Sequence, residues 1–296
     1  MLKDKISSQI LCVLIYLVTF YISYLLVPDN ISNIWAKITL WHVIATLIIY
    51  IFSFILQNSS LYDPFWSVAP IPIIFYLISQ FENTFIFNLI IITPILFWAL
   101  RLTRNWIISW RGFEHEDFRY IDLKNTNKFK AEINNLFGIH LFPTLIVNLG
   151  LYPLLFIFTT NNDVNLWLCL ASIFTFLSVV LETVADEQMR IFRNNINNKG
   201  KTMKYKLWKY SRHPNYLGEI GFWFGIYFMG ISSGSSPYWL IVCPLTMLAL
   251  FIFVSCPMMD NRSLINRSDY KDYMKKTSQL PVSYTHLTLP TIGEVL

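Results

Sequence analysis

Read only for apolar and polar positions, the chain alternates long hydrophobic runs with short polar breaks. The runs cover 9–27, 40–56, 68–80, 85–100, 139–159, 166–185, 216–231 and 238–257. Most approach the ~20 apolar residues that one helical crossing of a bilayer needs. The third run is short and carries Pro70 and Pro72. Lysine and arginine collect in alternate breaks: Lys3 and Lys5, then 101–130, 190–212 and 262–276, whereas the intervening breaks hold only Lys37. Because basic residues stay on the cytoplasmic side of a membrane, the pattern predicts an all-α, polytopic transmembrane helical bundle. It should have about eight spans, with N- and C-termini cytoplasmic. The break 57–67 falls on the same side without a basic residue of its own.

Composition agrees with lipid as the solvent. The 296 residues are 54% hydrophobic and 14% charged, with mean hydropathy +0.46, whereas a soluble domain carries roughly 25% charged residues. Ten Trp and sixteen Tyr suit helix ends in the headgroup zone. Cys12, Cys169, Cys243 and Cys256 all lie in apolar runs and form no CxxC pair, so they read as small core residues and not as a disulfide or metal set. The net charge of +5 sits in a few loops and points to topology and anionic ligands, not nucleic acid.

Two polar segments are long enough to carry chemistry. In 101–138, Trp106 and Trp110 stand four apart among Arg101, Arg104 and Arg111, with Glu114, His115, Glu116 and Asp117 after them. This predicts an interfacial helix and then a solvated loop. The second, 186–210, leads into 207–225, LWKYSRHPNYLGEIGFWFG. Pro214 suits the first turn of a helix, where a missing N–H costs nothing. From there Arg212, Tyr216, Glu219 and Trp223 fall on one stripe, with Asn215 four before Glu219. A helix start carries unpaired N–H groups and a positive dipole end, and Arg212 and His213 add to it. The result is an anion site suited to phosphate. Glu219 enters the apolar run and requires a partner there, such as Arg212 or an arginine of the preceding segment. A helix cap with one intramembrane ion pair would meet the same needs without any ligand.

Upstream, LETVADEQMRIFR (181–193) places Glu182, Asp186, Arg190 and Arg193 along one helical face. Asp186 and Arg190 alone would make an ordinary i,i+4 pair. Glu182 lies deeper in the apolar run and demands more explanation.

The end of the chain departs from everything before it. VSYTHLTLPT (282–291) matches, residue for residue, the translation of a transposase adapter used in sequencing libraries. We therefore expect 1–281 to be one membrane-embedded domain and 282–296 to be a non-native adapter artefact, to be tested by a clean genomic read past Pro281.

The blocks AD-x-Q-x(3)-FR (185–193) and LW-x-YSRHPNY-x-GE (207–219) resemble the bacterial and protist membrane proteins with a steroid 5-alpha-reductase C-terminal-like domain. SLYDPFWSVAP (60–70), HEDFRY (115–120) and 257–281 are similar to further blocks, so the resemblance spans most of the chain. Asp260 stands where a glutamate is more usual. The resemblance implies an enzyme of lipid metabolism: an NADPH-dependent oxidoreductase that reduces a carbon–carbon double bond in a lipophilic, steroid- or lipid-like substrate. Its cofactor would lie at the cytoplasmic helix ends. The residues that match the cofactor motif are Asp186, Arg193, Arg212, His213, Asn215, Tyr216 and Glu219. For the proton donor, the phenol of Tyr62 is the candidate, in a segment that parity places on the cytoplasmic side. An aromatic belt with a turn at Asp63 and Pro64 is its structural alternative.

Membrane methyltransferases similar to isoprenylcysteine carboxyl methyltransferase share the RHPxY turn and use S-adenosylmethionine. Glu219 and Asn215 favour the reductase. A non-enzymatic membrane scaffold is a third reading, and it predicts no cofactor affinity.

Overall fold

The structure is a computed structural model, and it describes residues 4–159, 164–232, 234 and 237–280. The tail 282–296 lies outside the described residues. Helices start where the sequence supplies an acceptor for their free N–H groups. Asp4 accepts from Ser7 N ahead of α1 (Lys5–Leu26) and Asn33 from Ala36 N ahead of α2 (Ile34–Leu56). Thr84 caps α4 (Phe85–Ser109) and Asn165 caps α7 (Leu166–Asn194) in the same way. Between these run α3 (Ser59–Gln80), α5 (Phe118–Lys124) and α6 (Lys128–Phe158); beyond α7 come α8 (Pro214–Ser232), α9 (Tyr238–Asn266) and α10 (Tyr270–Lys276).

Seven helices among the described residues are long and apolar enough to cross a membrane, and the chain is a multi-pass integral membrane protein. The eighth expected run forms a helix, α8, but it is not among those seven, because Asn215, Glu219 and several glycines make it more polar. The weak third run becomes a full-length crossing because the chain turns into α3 at once. Gln57 adopts a left-handed conformation (φ 52°), and helical structure resumes at Ser59. The expected loop 57–67 is thus reduced to the bend at Gln57 and Asn58 and a turn at Asp63 and Pro64, and Asn58 to Tyr62 are buried.

The segment 101–138 also differs from expectation. Arg101 and Arg104 continue α4, so no separate interfacial helix forms, although Trp106 and Trp110 stack at 4.7 Å. Beyond α4 the first part is packed, with Trp110, Phe113 and Tyr120 buried, whereas 121–130 is almost entirely exposed, as a solvated segment should be. Glu116 accepts from Ser59 N at 2.6 Å and pairs with Lys124 at 2.5 Å. Tyr120 donates to Asp63 at 2.5 Å, and burial pushes its phenol well above the usual range.

The principal core joins α4, α6, α7 and α8. Trp98 lies flat on Phe222 (4.5 Å between centroids, 8° between planes) and edge-on to Trp223. Helices α7 and α8 approach closely because glycine faces them: a Cβ on Gly218 would lie 2.7 Å from Glu182 N and Ser178 O. A second core, around Ile15, Ile49, Leu61 and Phe65, joins α1, α2 and α3. Apolar side chains such as Leu14, Leu17, Ile173 and Leu177 point outward, as lipid-facing residues do.

Candidate functional site

The residues of α7 measure about 43 Å at 1.5 Å per residue, longer than a ~30 Å hydrocarbon layer, so its last turns project beyond the apolar zone. They carry Asp186 and Arg193 into a cavity of about 820 Å³, within the range of small-molecule sites. Its walls come from the end of α4 (Arg104, Asn105), from α7, from the start of α8 (Asn215, Tyr216), from α9 (Ser263), from Arg267 just past it and from α10 (Tyr270).

Six of the seven residues of the expected cofactor set line this cavity: Asp186, Arg193, Arg212, His213, Asn215 and Tyr216. Glu219 does not, and Tyr62 is elsewhere. The Tyr62 side chain is buried in α3, with its hydroxyl 2.8 Å from Thr144 Oγ1 and its ring against Phe65 and His140. The segment that would have exposed it is a short 3-10 helix, Ser59–Tyr62, followed by the turn at Asp63 and Pro64.

Arg212 is a brace as much as a wall. Its Nη2 pairs with Asp260 at 2.9 Å, and its Nη1 donates to Thr277 O at 2.9 Å and Met274 O at 3.3 Å. The other Asp260 oxygen holds His213 Nε2 at 2.9 Å and accepts from Tyr270 at 2.5 Å. Burial, with the Asp260 carboxylate beside it, pushes the Tyr270 phenol well up. This arrangement fastens the helix start at Pro214 to α9 and α10. His213 in turn stacks on Tyr216 (5.3 Å, 12°).

Glu219 finds partners that spacing did not indicate. It accepts from the Trp98 indole at 2.9 Å on one oxygen and from Trp223 at 2.9 Å on the other, and its carboxyl lies against that of Glu182. Buried Arg101 bridges Glu182 and Asp186, and Asn105 donates to Asp186 at 3.0 Å. Among the described residues no ion pair reaches Glu219: two indoles take the place of the expected arginine, and the buried cation of this cluster, Arg101 of α4, serves Glu182 and Asp186. Arg101 and Trp98 are the sequence's omissions: their only signal was an arginine three residues after a tryptophan at the end of an apolar run.

Electrostatically the cavity is cationic. Arg190 is engaged by Glu187 at 2.7 Å, but Arg104, Arg111, Arg193 and Arg267 line the cavity with no ion pair among the described residues. Asn215 Oδ1 and Arg212 Nε are buried without hydrogen-bond partners, a cost tolerated where a ligand supplies the partner. Tyr270 and Tyr273 spend their hydroxyls on Asp260 and Trp208 O, whereas Tyr216 keeps its own free among the described contacts. No group of three or more His, Cys, Asp or Glu suited to a metal occurs among the described residues.

No curated protein and no solved structure matches the chain. The blocks that build the cavity nevertheless fall within one continuous family match over residues 49–277, which takes in α3 to α10. The chain thus belongs to the family described as protein of unknown function (DUF1295), which is steroid 5-alpha-reductase-like.

Proposed function

We propose that the protein is an NADPH-dependent reductase of a carbon–carbon double bond in a lipophilic, steroid- or lipid-like substrate. The observation that carries this reading is the excess of unpaired arginine around the cavity. Arginine forks match phosphate geometry, and Arg104, Arg111, Arg193 and Arg267 offer enough of them for a pyrophosphate together with a ribose phosphate. S-adenosylmethionine carries a sulfonium cation and no phosphate, so the same walls would repel part of it. The residues fit the dinucleotide in a second respect: Asn215 Oδ1 and Arg212 Nε are polar atoms in want of a partner, and the Asp186 carboxylate is an acceptor suited to ribose hydroxyls.

When bound, the reduced nicotinamide would supply hydride to the double bond. The chain's own part is placement. Asp260 holds Arg212 and His213 so that the helix start keeps its N–H groups toward the anion. The Trp98–Phe222–Trp223 stack closes the membrane side against water. Tyr216, stacked on His213, has a hydroxyl free to bond ligand. By the distribution of basic segments, this end of the bundle is the cytoplasmic one.

The test is thermal unfolding of detergent-purified protein with NADPH, NADH or S-adenosylmethionine. NADPH at ~100 times its dissociation constant should add about 2.7 kcal/mol. Arg193→Ala should remove most of that without lowering the midpoint of the free protein. Stabilisation by S-adenosylmethionine alone would overturn the assignment, and stabilisation by none of the three would favour a scaffold.

A further inference from the structure

The connection between α7 and α8 is pinned from one side and charged on the other. Asn198 donates to Phe192 O at 3.0 Å, Leu207 N to Gln188 at 3.2 Å, and the Trp208 indole to Ala185 O at 3.1 Å. Thr202 donates to Asp269 at 2.5 Å, and Lys204 pairs with the same carboxylate at 2.6 Å. Thr202, Met203 and Trp208 are buried and form part of the cavity wall. With these turned inward, Lys199, Lys201, Lys206 and Lys209 are left on the exposed face, with Tyr205 and Tyr210 (70% exposed) among them. Lys206 has φ +58°, a conformation uncommon for a residue with a side chain.

Nothing acidic neutralises this face from within the segment, because the sequence has no Asp or Glu between Glu187 and Glu219. Its position is set by the helix that leads into it. The outward apolar stripe of α7 runs through Leu170, Ile173, Leu177 and Val184 to the edge of the apolar zone, and Ile191 and Ile196, the latter 77% exposed, extend its line toward the headgroups. The lysines begin three residues later, where a lipid-facing stripe gives way to headgroups.

We propose that the outer face of 199–210 is a docking surface for the anionic headgroups of the bilayer that holds the chain. Charge complementarity and continuity with the lipid-facing stripe select that occupant over a soluble acidic partner. Tyr205 and Tyr210 add the amphipathic rings that the headgroup zone favours. Lipid docking here is independent of the reaction proposed above, because the lysines face away from the cavity.

The experiment uses the full chain in nanodiscs of phosphatidylcholine alone or with one third phosphatidylglycerol, labelled with a neutral amine-acetylating reagent and read by mass spectrometry. Lys199, Lys201, Lys206 and Lys209 should react roughly fivefold more slowly in the anionic bilayer, the factor that one basic residue gains beside such a surface, and 1 M salt should abolish the difference. Lys37 is the internal control. It lies at the opposite end of the bundle, paired with Asp29, because Lys5 reaches Ile108 O beside the cavity and α1 separates the two lysines. Equal rates in both bilayers, or equal slowing at Lys37, would overturn the proposal. So would full protection by inorganic phosphate in phosphatidylcholine. In native mass spectrometry the Lys→Gln variant at all four positions should lose its retained phosphatidylglycerol, and unchanged retention would also count against the surface.

Discussion

Arg101 is the residue on which the buried charges turn. Glu182, Asp186 and Glu219 gather inside the bundle, and Arg101 is the cation that reaches two of them. Removing one partner of a buried pair leaves a desolvated charge, so Arg101→Met should cost about 3–5 kcal/mol. Adding Glu182→Met should recover much of the loss, both read from unfolding in mixed micelles. Asp269 gives a pH-dependent counterpart outside the membrane. Burial disfavours its charged form, but Lys204 and Thr202 outweigh that and hold the carboxyl below its ordinary value. A lowered folded pKa stabilises above the unfolded value, about 3.9, and the contribution is lost as pH falls through the folded one. The gap in melting midpoint between wild type and Asp269→Asn should therefore be constant from pH 5 to 7 and close below pH 4. Both residues are visible in the sequence, but their partners are not: Arg101 stands 81 and 85 positions from the acids it serves, and no periodicity reaches so far.

At the scale of elements, α7 against α8 is the contact that shapes the site. Gly218 touches Glu182 and Ser178 through backbone atoms that cannot move aside, so its glycine is required by close approach. Gly218→Ala should destabilise by about 1–3 kcal/mol. Gly138→Ala, where an added Cβ meets nothing within 4 Å, should be neutral or stabilising by up to ~1 kcal/mol. Parallel melting curves in one detergent decide this, and equal losses would refute the close-packing account. The motif glycine beside Glu219 thus serves helix packing, and only through it the cavity.

At the scale of the molecule, one carboxylate ties the C-terminal helices to the cavity. Asp260 holds Arg212, His213 and Tyr270 together. Asp260→Ala should release α10, seen as faster proteolysis within 267–280, and should weaken ligand stabilisation, whereas Asp260→Glu should keep both near wild type. Undiminished protection in Asp260→Ala would show that the clamp is not needed.

The amphipathic and apolar periodicities were enough, without any tertiary information, to place eight apolar helices and a helix start at Pro214, because hydrophobic thickness, capping and proline chemistry are local. The motif blocks that carry the family resemblance, and not periodicity, picked out six residues that share one cavity, since these fall on two helix ends joined by a short segment. Long-range packing decided the rest. It put Tyr62 inside α3, because a bend at Gln57 and Asn58 turns the chain straight back. It gave Glu219 two indoles in place of an arginine and turned Arg212 into a brace. These outcomes depend on which helix faces come together, and that is set by side-chain volumes and glycine gaps far apart in the chain.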